Sequence, residues 1–312
     1  MIGYISSQKV RVQRSRIRQA IARVDPAEFA LRKERLHLRI KRRVYSVPHA
    51  HFLWHLDGNH KLIRWKFVVH ASIDGFSRAC IYLKCSKNNR SDTVLAHFRQ
   101  AVHTFDVIPT CVRTDHGGEN VSVWQAMLES RSNYSHPAVL TGSSVHNQRI
   151  EIFNRDLNIN IRQHFGTIFY TLEAREILDV TNNLDIFSLH YVYLIRINNA
   201  LEMFMHSHNN HKIRTESNMT PLQLLATSPA AADYNLSMYR VSTIATQAPI
   251  DSLIAQANPP IPPTDILESP LSRAQVSHLL TAVPPQTEDN EQGMTVYTAV
   301  REYVHNCISQ NQ

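Results

Sequence analysis

Hydrophobic patterns that change from strand-like to helix-like in a definite order along residues 51–161 constrain the fold of this chain most. In His51–Asp57, one set of alternate residues is entirely apolar, as expected of a strand with one strongly apolar face. Phe52, Trp54 and Leu56 form this set, and the other set consists of His51, Leu53, His55 and Asp57. Trp65–Asp74 and Ala79–Cys85 follow across short turns. Three strands joined in this way predict an antiparallel meander.

The pattern then alternates between helix and strand. The predicted elements are a helix over Ser91–Phe105, a strand over Thr110–Asp115, a helix through Val123, Met127 and Leu128, a strand over Ala138–Thr141 and a helix from about Val145. Three strands followed by alternating helices and strands are the order of an α/β layer fold.

The last of these helices has two different sides. Its apolar residues recur at intervals of three and four, at Ile150, Phe153, Leu157 and Ile161. Its polar side carries Asn147, Glu151 and Arg155. We expect the apolar side to pack on the sheet and the polar side to face the ends of the strands.

Three acidic residues fall at chemically suggestive places in this scheme. Asp57 and Asp115 each end a predicted strand, and Glu151 follows Asp115 with 35 residues between them, on the last helix. Spacing alone is weak, because the chain has 26 acidic residues. Carboxylates are, however, the ligands that hard cations such as Mg²⁺ prefer, and paired divalent cations stabilise both the entering and the leaving oxygen at a phosphodiester. The pattern therefore indicates metal-dependent cutting and joining of DNA strands.

Local motifs around these acids resemble a known family. They are Asp57-Gly58, Ile73–Arg78, Arg113–Asn120 and Ser144–Glu151, with Asn154-Arg155 beyond. Together they resemble the catalytic core of retroviral and retrotransposon integrases, and more closely the integrase-core proteins of eukaryotic genomes, most of which are related to mobile elements. The resemblance extends over about Arg43 to Leu225.

The resemblance implies a ribonuclease H-like fold, with a mixed five-stranded sheet flanked by helices, and a triad of two aspartates and a glutamate. Carried over residue by residue, the triad is Asp57, Asp115 and Glu151, which would hold Mg²⁺ or Mn²⁺. Asp57 and Asp115 would share the metals, and Glu151 would hold the second metal. The family also implies DNA as the partner and a homo-oligomeric assembly.

Other residues near the triad receive narrower predictions. Asn147, Arg149 and Arg155 are candidates for contact with DNA phosphate, since arginine bonds phosphate bidentately, although each could equally be an ordinary surface residue. Glu119 also lies close in sequence to Asp115, but it falls outside the triad of the family. We interpret Glu119 as a helix-start residue, which is favoured near the positive end of the helix dipole.

Positive charge is concentrated at the amino end. Residues 1–50 hold 13 Lys/Arg and 3 Asp/Glu, against 20 and 23 in the rest of the chain. The segment Val12–Val24 resembles the recognition helix of a helix-turn-helix, whose arginines would contact DNA. Arg14, Arg16 and Arg18 are the predicted DNA contacts, and the predicted buried side is Val12, Ile17, Ala20, Ile21 and Val24. The alternative is a solvated basic helix.

The basic arm is shorter than a three-helix reader requires, so we expect either a fragment of a longer transposase-like protein or a decayed DNA-binding module. A second basic run, Arg32–Arg43, could track DNA or act as a nuclear localisation signal, which predicts a nuclear protein. The expected domains are a basic helical arm over 1–42, a catalytic core over 43–226 and a proline-rich linker with a helical tail over 227–312.

Composition supports these boundaries and argues against two classes of protein. Nine of the 14 prolines lie between Pro229 and Pro285, ahead of or around helices predicted near Leu271–Val283 and Val296–Cys307. The apolar stretch Ile186–Met205 is interrupted by polar residues, which predicts a packed helix and no membrane span. The four cysteines have no zinc-binding spacing, so we expect reduced packing residues and no structural zinc.

Three functions remain open on this sequence. The first is an integrase or transposase that nicks DNA and transfers strands. The second is a domesticated derivative that binds DNA or a protein partner without catalysing. The third is a nuclease of ribonuclease H type acting on an RNA–DNA hybrid, which the fold permits but which the integrase-like motifs around all three acids disfavour.

Overall fold

A computed structural model describes Gln8 and residues 12–27, 29–30, 47–131, 137–142, 148–228, 254–255, 257–259 and 268–310 of this chain. Its strands are β1 (Leu53–Asn59), β2 (Val68–Asp74), β3 (Cys80–Ser86), β4 (Cys111–Thr114) and β5 (Val139–Thr141). They form one sheet in the order β3-β2-β1-β4-β5.

Nine α-helices are described in the same parts of the chain. They are α1 (Arg14–Val24), α2 (Ser91–Phe105), α3 (Val121–Ser130), α4 (Gln148–Leu157), α5 (Gln163–Ala174), α6 (Asn183–Asn209), α7 (Pro221–Ala226), α8 (Arg273–Ala282) and α9 (Met294–Ser309). A π-helical segment, Asn158–Arg162, joins α4 to α5.

The sheet is mixed in the way the sequence predicts. β1 pairs antiparallel with β2, and β2 with β3, whereas β4 lies parallel to β1 and β5 lies parallel to β4. Parallel neighbours require crossover connections, and α2 and α3 provide them. The predicted α/β layer fold of ribonuclease H type is confirmed.

Helices cover the sheet on both faces, and a separate hydrophobic core lies under each layer. One core joins β2 and β3 to α4, α5, α6, α8 and α9, and the other joins β1, β3 and β4 to α2 and α3. The residues predicted to form the apolar side of α4 and its continuation, Ile150, Phe153, Leu157 and Ile161, are all buried in the first core. α4 is thereby fixed on the sheet, beside β1 and β2.

Two strands have bounds that differ from the prediction by two residues or more. β1 continues to Asn59, so Asp57 lies inside the strand and not at its end. β2 begins at Val68, because Ile63–Trp65 forms a 3₁₀ turn that Lys66 ends with a φ of 57°. Hydrophobicity alone does not show this turn, since Trp65 and Phe67 are buried on either side of Lys66.

The basic helix α1 is more exposed than predicted. Ile17 is 5% exposed, as expected of a packed side, but Val12 is 42% and Val24 is 86% exposed. The prediction that Val12 and Val24 belong to a buried side is therefore wrong. The second basic run, Arg32–Arg43, lies outside the described residues.

The two carboxyl-terminal helices pack on α6. The helix predicted near Val296–Cys307 is α9, and its residues Val296, Val300 and Val304 are buried in the core that α6 shares. The stretch Ile186–Met205 lies within α6 and packs as predicted. In the described part of the chain no helix has the length and apolar character to cross a membrane.

Candidate active site

Asp57 is positioned by β1, the central strand of the sheet. It lies near the end of β1, opposite Ala71 of the antiparallel strand β2, and it is partly buried. Asn154 of α4 donates a hydrogen bond from Nδ2 to Asp57 Oδ2 over 2.6 Å. The helix that covers one face of the sheet therefore holds this carboxylate directly.

An asparagine ladder extends this link between β1 and α4. Asn59 Nδ2 donates to Asn158 Oδ1 at 3.1 Å and lies 3.5 Å from Asn154 Oδ1. Asn158 begins the π-helical segment, and such segments are frequent at functional sites. The ladder fixes the distance between the strand that carries Asp57 and the helix that carries Glu151.

Asp115 is brought to the same edge by the parallel pairing of β1 and β4. His55 pairs with Arg113, and each aspartate follows its paired residue by two positions. Asp115 comes directly after β4, and its Oδ1 accepts hydrogen bonds from Gly117 N and Asn120 Nδ2, both at 3.1 Å. These donors hold the carboxylate in place at the start of the following turn.

Glu151 reaches the site from α4. It lies one turn before Asn154, which binds Asp57, and its side chain is exposed. Residues 143–147, which precede α4, lie outside the described residues. The three acids are thus supplied by a strand, by the turn after a second strand and by a helix.

Electrostatics indicate that these acids lie close together. The pKa of Asp57 is raised to about 7, first by burial and then by the negative charge of Asp115, with further contributions from Glu119 and Glu151. The charges that act most strongly on Asp57 are all negative. Burial and repulsion both disfavour an ionised carboxylate, so a positive charge brought to this position would be bound favourably.

A fourth acid, Glu119, is also part of this region. It lies in a 3₁₀ turn, Gly118–Asn120, that leads into α3, and it is 4% exposed. Burial, and secondarily the charge of Asp115, raises its pKa to about 7, while a hydrogen bond from Asn89 acts in the opposite direction. Asn89 also lies 3.2 Å from His60 Nε2 through its own Nδ2. Glu119 was correctly predicted to start a helix, but its burial was not foreseen.

Carboxylate oxygens are the donors that Mg²⁺ and Mn²⁺ prefer, so the residue types fit a divalent cation. Among the residues that the structure describes, however, no group of three or more His, Cys, Asp or Glu side chains is arranged so that it could hold a metal ion. Metal binding would therefore require the acidic side chains to turn toward one another. Glu151 is exposed and stands on the first turn of α4, so its side chain has room to do so.

Only some of the predicted DNA contacts lie among the described residues. Arg16, Arg18 and Arg155 are exposed, as phosphate contacts should be, and Arg149 is partly buried. Arg155 lies 3.8 Å from Asp156 in an exposed ion pair. Asn147 lies outside the described residues, and of Arg14 only the backbone, at the start of α1, is described.

Sequence reasoning gave no role to three residues that the structure places at the site. Asn154 lies within the quoted motifs, and its position four residues after Ile150 and three before Leu157 on a helix could have revealed that it faces the sheet. Asn89 and His60 come from loops distant in sequence from the acids. Nothing in their local sequence marks them.

A segment of the proline-rich region also touches this site. Asn258 donates a backbone hydrogen bond to the carbonyl of His116 over 2.7 Å, and it forms a short parallel bridge with Gly117. Ala257 packs against the core that contains α2 and α3. The turn between Asp115 and Glu119 is therefore covered on one side by a distant part of the chain.

The strand order and the edge shared by Asp57 and Asp115 agree with a family match over residues 44–233, to the family described as Integrase core domain. This chain belongs to the integrase core domain family. The match spans more than half of the chain, and it confirms the resemblance drawn from the motifs.

Solved structures of two viral integrases are also similar to this chain. The HTLV-2 integrase catalytic core domain in complex with magnesium, in a trimeric form, is 19% identical with a TM-score of 0.37, over 56% of this chain and 95% of that chain. The simian T-cell lymphotropic virus intasome in complex with PP2A regulatory subunit B56 gamma is 18% identical with a TM-score of 0.37, over 72% and 74%. No curated protein matches this chain.

Proposed function

We propose that this protein is an integrase- or transposase-like polynucleotidyl transferase that nicks DNA and transfers DNA strands with Mg²⁺ or Mn²⁺. The observation that carries the proposal is that the parallel pairing of β1 and β4 brings Asp57 and Asp115 to the same end of the sheet, while the helix that carries Glu151 binds Asp57 through Asn154. Membership of the integrase core domain family supports the same chemistry. The combination favours DNA strand transfer over general nuclease activity.

Asp57, Asp115 and Glu151 would hold the cations. When bound, the cations would polarise the phosphodiester and stabilise the entering and leaving oxygens. The chain itself supplies the positioning: Asn154 orients Asp57, and Asn120 orients Asp115. Because Asp57 has a pKa near 7, it must lose a proton to bind a cation, so metal affinity should rise with pH.

DNA would be held by arginines around this edge and by the basic arm. Arg149 and Arg155 lie on the helix that carries Glu151, and Arg16 and Arg18 are exposed on α1. Guanidinium groups bind phosphate bidentately, and several such contacts give binding that weakens with salt. We extend the proposal to Arg14 and Asn147, to a nuclear location, to a homo-oligomer and to the domain boundaries 1–42, 43–226 and 227–312.

A second candidate function is DNA binding without catalysis. It is favoured by the amide of Asn154, which donates to Asp57 Oδ2, an oxygen that a cation would use. The described residues also contain no ready-made group that could hold a metal ion. A derivative of this kind would bind DNA through its arginines and leave the phosphodiester intact.

The test is nicking of supercoiled plasmid and strand transfer of oligonucleotide ends in the presence of Mn²⁺. We expect activity in the wild-type protein and a loss of at least about a thousandfold in Asp57→Asn, Asp115→Asn and Glu151→Gln, because several kcal/mol of charge stabilisation disappear. Glu129→Gln, an exposed acid at the end of α3, is the matched control and should retain activity.

DNA binding is measured in parallel by gel shift with the same proteins. Binding without nicking, at every Mn²⁺ concentration and with every DNA end, would favour the second candidate. Nicking that survives all three substitutions would show that the activity belongs to another site or to a contaminant, and the proposed function would be abandoned.

A further inference from the structure

Asn59 is a buried polar residue of β1 close to Asp57. It lies two residues after Asp57 on the same strand, so both side chains project from the same face of the sheet. Its side chain is 9% exposed, and both its amide oxygen and its amide nitrogen are hydrogen-bonded. A buried amide that is bonded at both ends is held in one orientation, and this orientation acts on its neighbours.

The spacing of residues on β1 matches that on α4 and the π-helical segment. Asp57 and Asn59 are separated by about 7 Å along a strand, and Asn154 and Asn158 by about 6 Å along a helix. Each asparagine of the helix therefore meets one residue of β1. Asn154 Nδ2 lies 2.6 Å from Asp57 Oδ2, and Asn158 Oδ1 lies 3.1 Å from Asn59 Nδ2. Asn59 Nδ2 also lies 3.5 Å from Asn154 Oδ1, which joins the two pairs.

A backbone N–H sets the direction of these hydrogen bonds. Lys61 N donates to Asn59 Oδ1 over 3.2 Å, and a backbone nitrogen can only donate. The oxygen of the Asn59 amide therefore faces Lys61, and its NH₂ group faces Asn154 and Asn158. Asn154 presents its oxygen to this NH₂ group and its own NH₂ group to Asp57, as an ionised carboxylate requires. The amide of Asn154 thus receives the same orientation from two sides.

We propose that Asn59 is a positioning residue of the active site, which orients the amide of Asn154 and through it the carboxylate of Asp57. The inference rests on the proposed function, since it gives Asp57 a part in DNA strand transfer. Asn59 acts through Asn154 and does not itself meet the reacting phosphodiester. Without the NH₂ group of Asn59, the Asn154 amide is free to turn its oxygen toward Asp57 and repel the carboxylate. A displacement of about 1 Å in such a group lowers a rate by about a hundredfold.

Two substitutions of nearly unchanged shape separate loss of the donor from added charge. Asn59→Asp retains an oxygen that accepts from Lys61, but it replaces the NH₂ group by an oxygen that cannot donate. Asn158→Asp adds the same charge at the other end of the 3.1 Å hydrogen bond and retains an oxygen that accepts from Asn59. Only the first substitution breaks the link between Asn59 and Asn154, so Asn158→Asp is the matched control.

The first measurement is the proton–nitrogen NMR spectrum of the side-chain amides in the full chain, without metal or DNA. The signals of the Asn154 NH₂ group are assigned by their absence in Asn154→Leu. We expect Asn59→Asp to remove the downfield shift of the Asn154 proton that is bonded to Asp57, whereas Asn158→Asp should leave it in place. This signal reports on the hydrogen bond itself, so a merely structural role of Asn59 would not move it. If Asn59→Asp does not fold, Asn59→Leu carries the same test without added charge.

The second measurement is the steady-state rate of DNA nicking with Mn²⁺. We expect Asn59→Asp to lower kcat by about 10- to 100-fold, the range found when a group that orients a metal-binding side chain is replaced. The KM for DNA should stay within about twofold of the wild-type value, because an interaction that serves only the reacting state lowers kcat and leaves KM unchanged. Asn158→Asp should retain the wild-type kcat.

The outcomes distinguish this inference from the proposed function. Unmoved Asn154 signals in Asn59→Asp, or a wild-type kcat in that variant, would overturn the role of Asn59 and leave the proposed function standing. Equal effects in Asn59→Asp and Asn158→Asp would assign the change to added charge and also count against Asn59. A wild-type protein that nicks no DNA would overturn the proposed function, and the positioning role in catalysis with it, even where the signals shift as expected.

Discussion

Two acids, Asp185 and Asp57, lie in surroundings that offset the cost of buried negative charge in different ways. Asp185 is fully buried at the start of α6, and its Oδ1 lies 2.8 Å from Arg301 Nε and 2.7 Å from His305 Nε2, both on α9. Its Oδ2 accepts from the backbone of Asp179 at 3.0 Å. Asp57 instead has three other acids as its main charged neighbours.

The difference indicates what each cluster is for. The Asp185 cluster carries its own positive charge, so it joins two helices without any ligand. The acids around Asp57 disfavour its ionised state, an arrangement that costs stability unless positive charge arrives from outside. Within one chain, a structural acid is thus distinguished from a candidate functional acid by the source of its counter-charge.

The largest expected effect concerns the Asp185 cluster. Asp185→Ala should lower the free energy of unfolding by about 3 kcal/mol, because it leaves the guanidinium of Arg301 and the ring of His305 without their acceptor. The partial exposure of Arg301 and His305 places the value at the lower end of the usual range. Urea unfolding measures it. Glu302→Ala removes an exposed acid on α9, the helix that carries Arg301 and His305. This variant is the control, and its free energy of unfolding should change little.

Nicking by Asp185→Ala, measured below its unfolding transition, should remain close to that of the wild-type protein. A folded variant with normal stability would contradict the view that this cluster is structural. A folded variant without activity would contradict its separation from the carboxylate site.

The contribution of Asp57 to the stability of the protein should depend on pH. Burial and the charge of Asp115 raise the pKa of Asp57 to about 7, above its ordinary value of 3.8, so its contribution to stability is complete below pH 3.8 and is lost as pH rises through 7. Relative to Asp57→Asn, the wild-type protein without metal should lose roughly 2 kcal/mol between pH 4 and pH 8, a value reduced for residual contact with water.

Comparison with Asp57→Asn removes the contributions of other groups. Burial lowers the pKa of His70 to about 3 and those of His190 and His208 to about 4. These histidines therefore make the folded protein less stable as pH falls, and they do so equally in the wild-type protein and in Asp57→Asn. Urea unfolding at each pH gives the difference curve. A flat curve would mean that Asp57 ionises as an exposed acid does, and the contrast with Asp185 would disappear.

Much of this fold was predictable because its elements have regular hydrophobic patterns. The helix Ser91–Phe105 is found with the predicted bounds, since its apolar residues recur at helical spacing. The strand over Ala138–Thr141 is shorter by one residue, Val139–Thr141. Periodicity identifies an element well, but its ends depend on local turns such as the one at Lys66.

The site was predictable only in part, because its chemistry depends on contacts between distant residues. Local motifs identify Asp57, Asp115 and Glu151, whose assignment as the metal-binding triad stays a prediction. The burial of Glu119 depends on Gly117 and on Asn89, which lies 30 residues earlier, and no single stretch of sequence contains that information. In the same way, Asn258, whose backbone bonds to His116, lies in a segment whose only signal in the sequence is its high proline content.

The smallest expected effect concerns the contact between Gly117 and the Glu119 carboxylate, within the acidic cluster. Gly117→Ala is allowed by the backbone, but its Cβ would overlap the Glu119 carboxylate and force it to move. We expect a loss of about 1 kcal/mol in the free energy of unfolding, measured by urea unfolding, because overpacking displaces the carboxylate without removing it. Gly166→Ala is the control: its Cβ would meet no atom within 4 Å, and alanine favours helix α5 by up to about 1 kcal/mol. Destabilisation in Gly117→Ala alone would show that the packing of the Glu119 carboxylate over Gly117 contributes to stability, since this substitution leaves every charge in place. If Gly117→Ala unfolded as the wild-type protein does, the Glu119 carboxylate would move away without consequence, and the contact over Gly117 would not hold it in the acidic cluster.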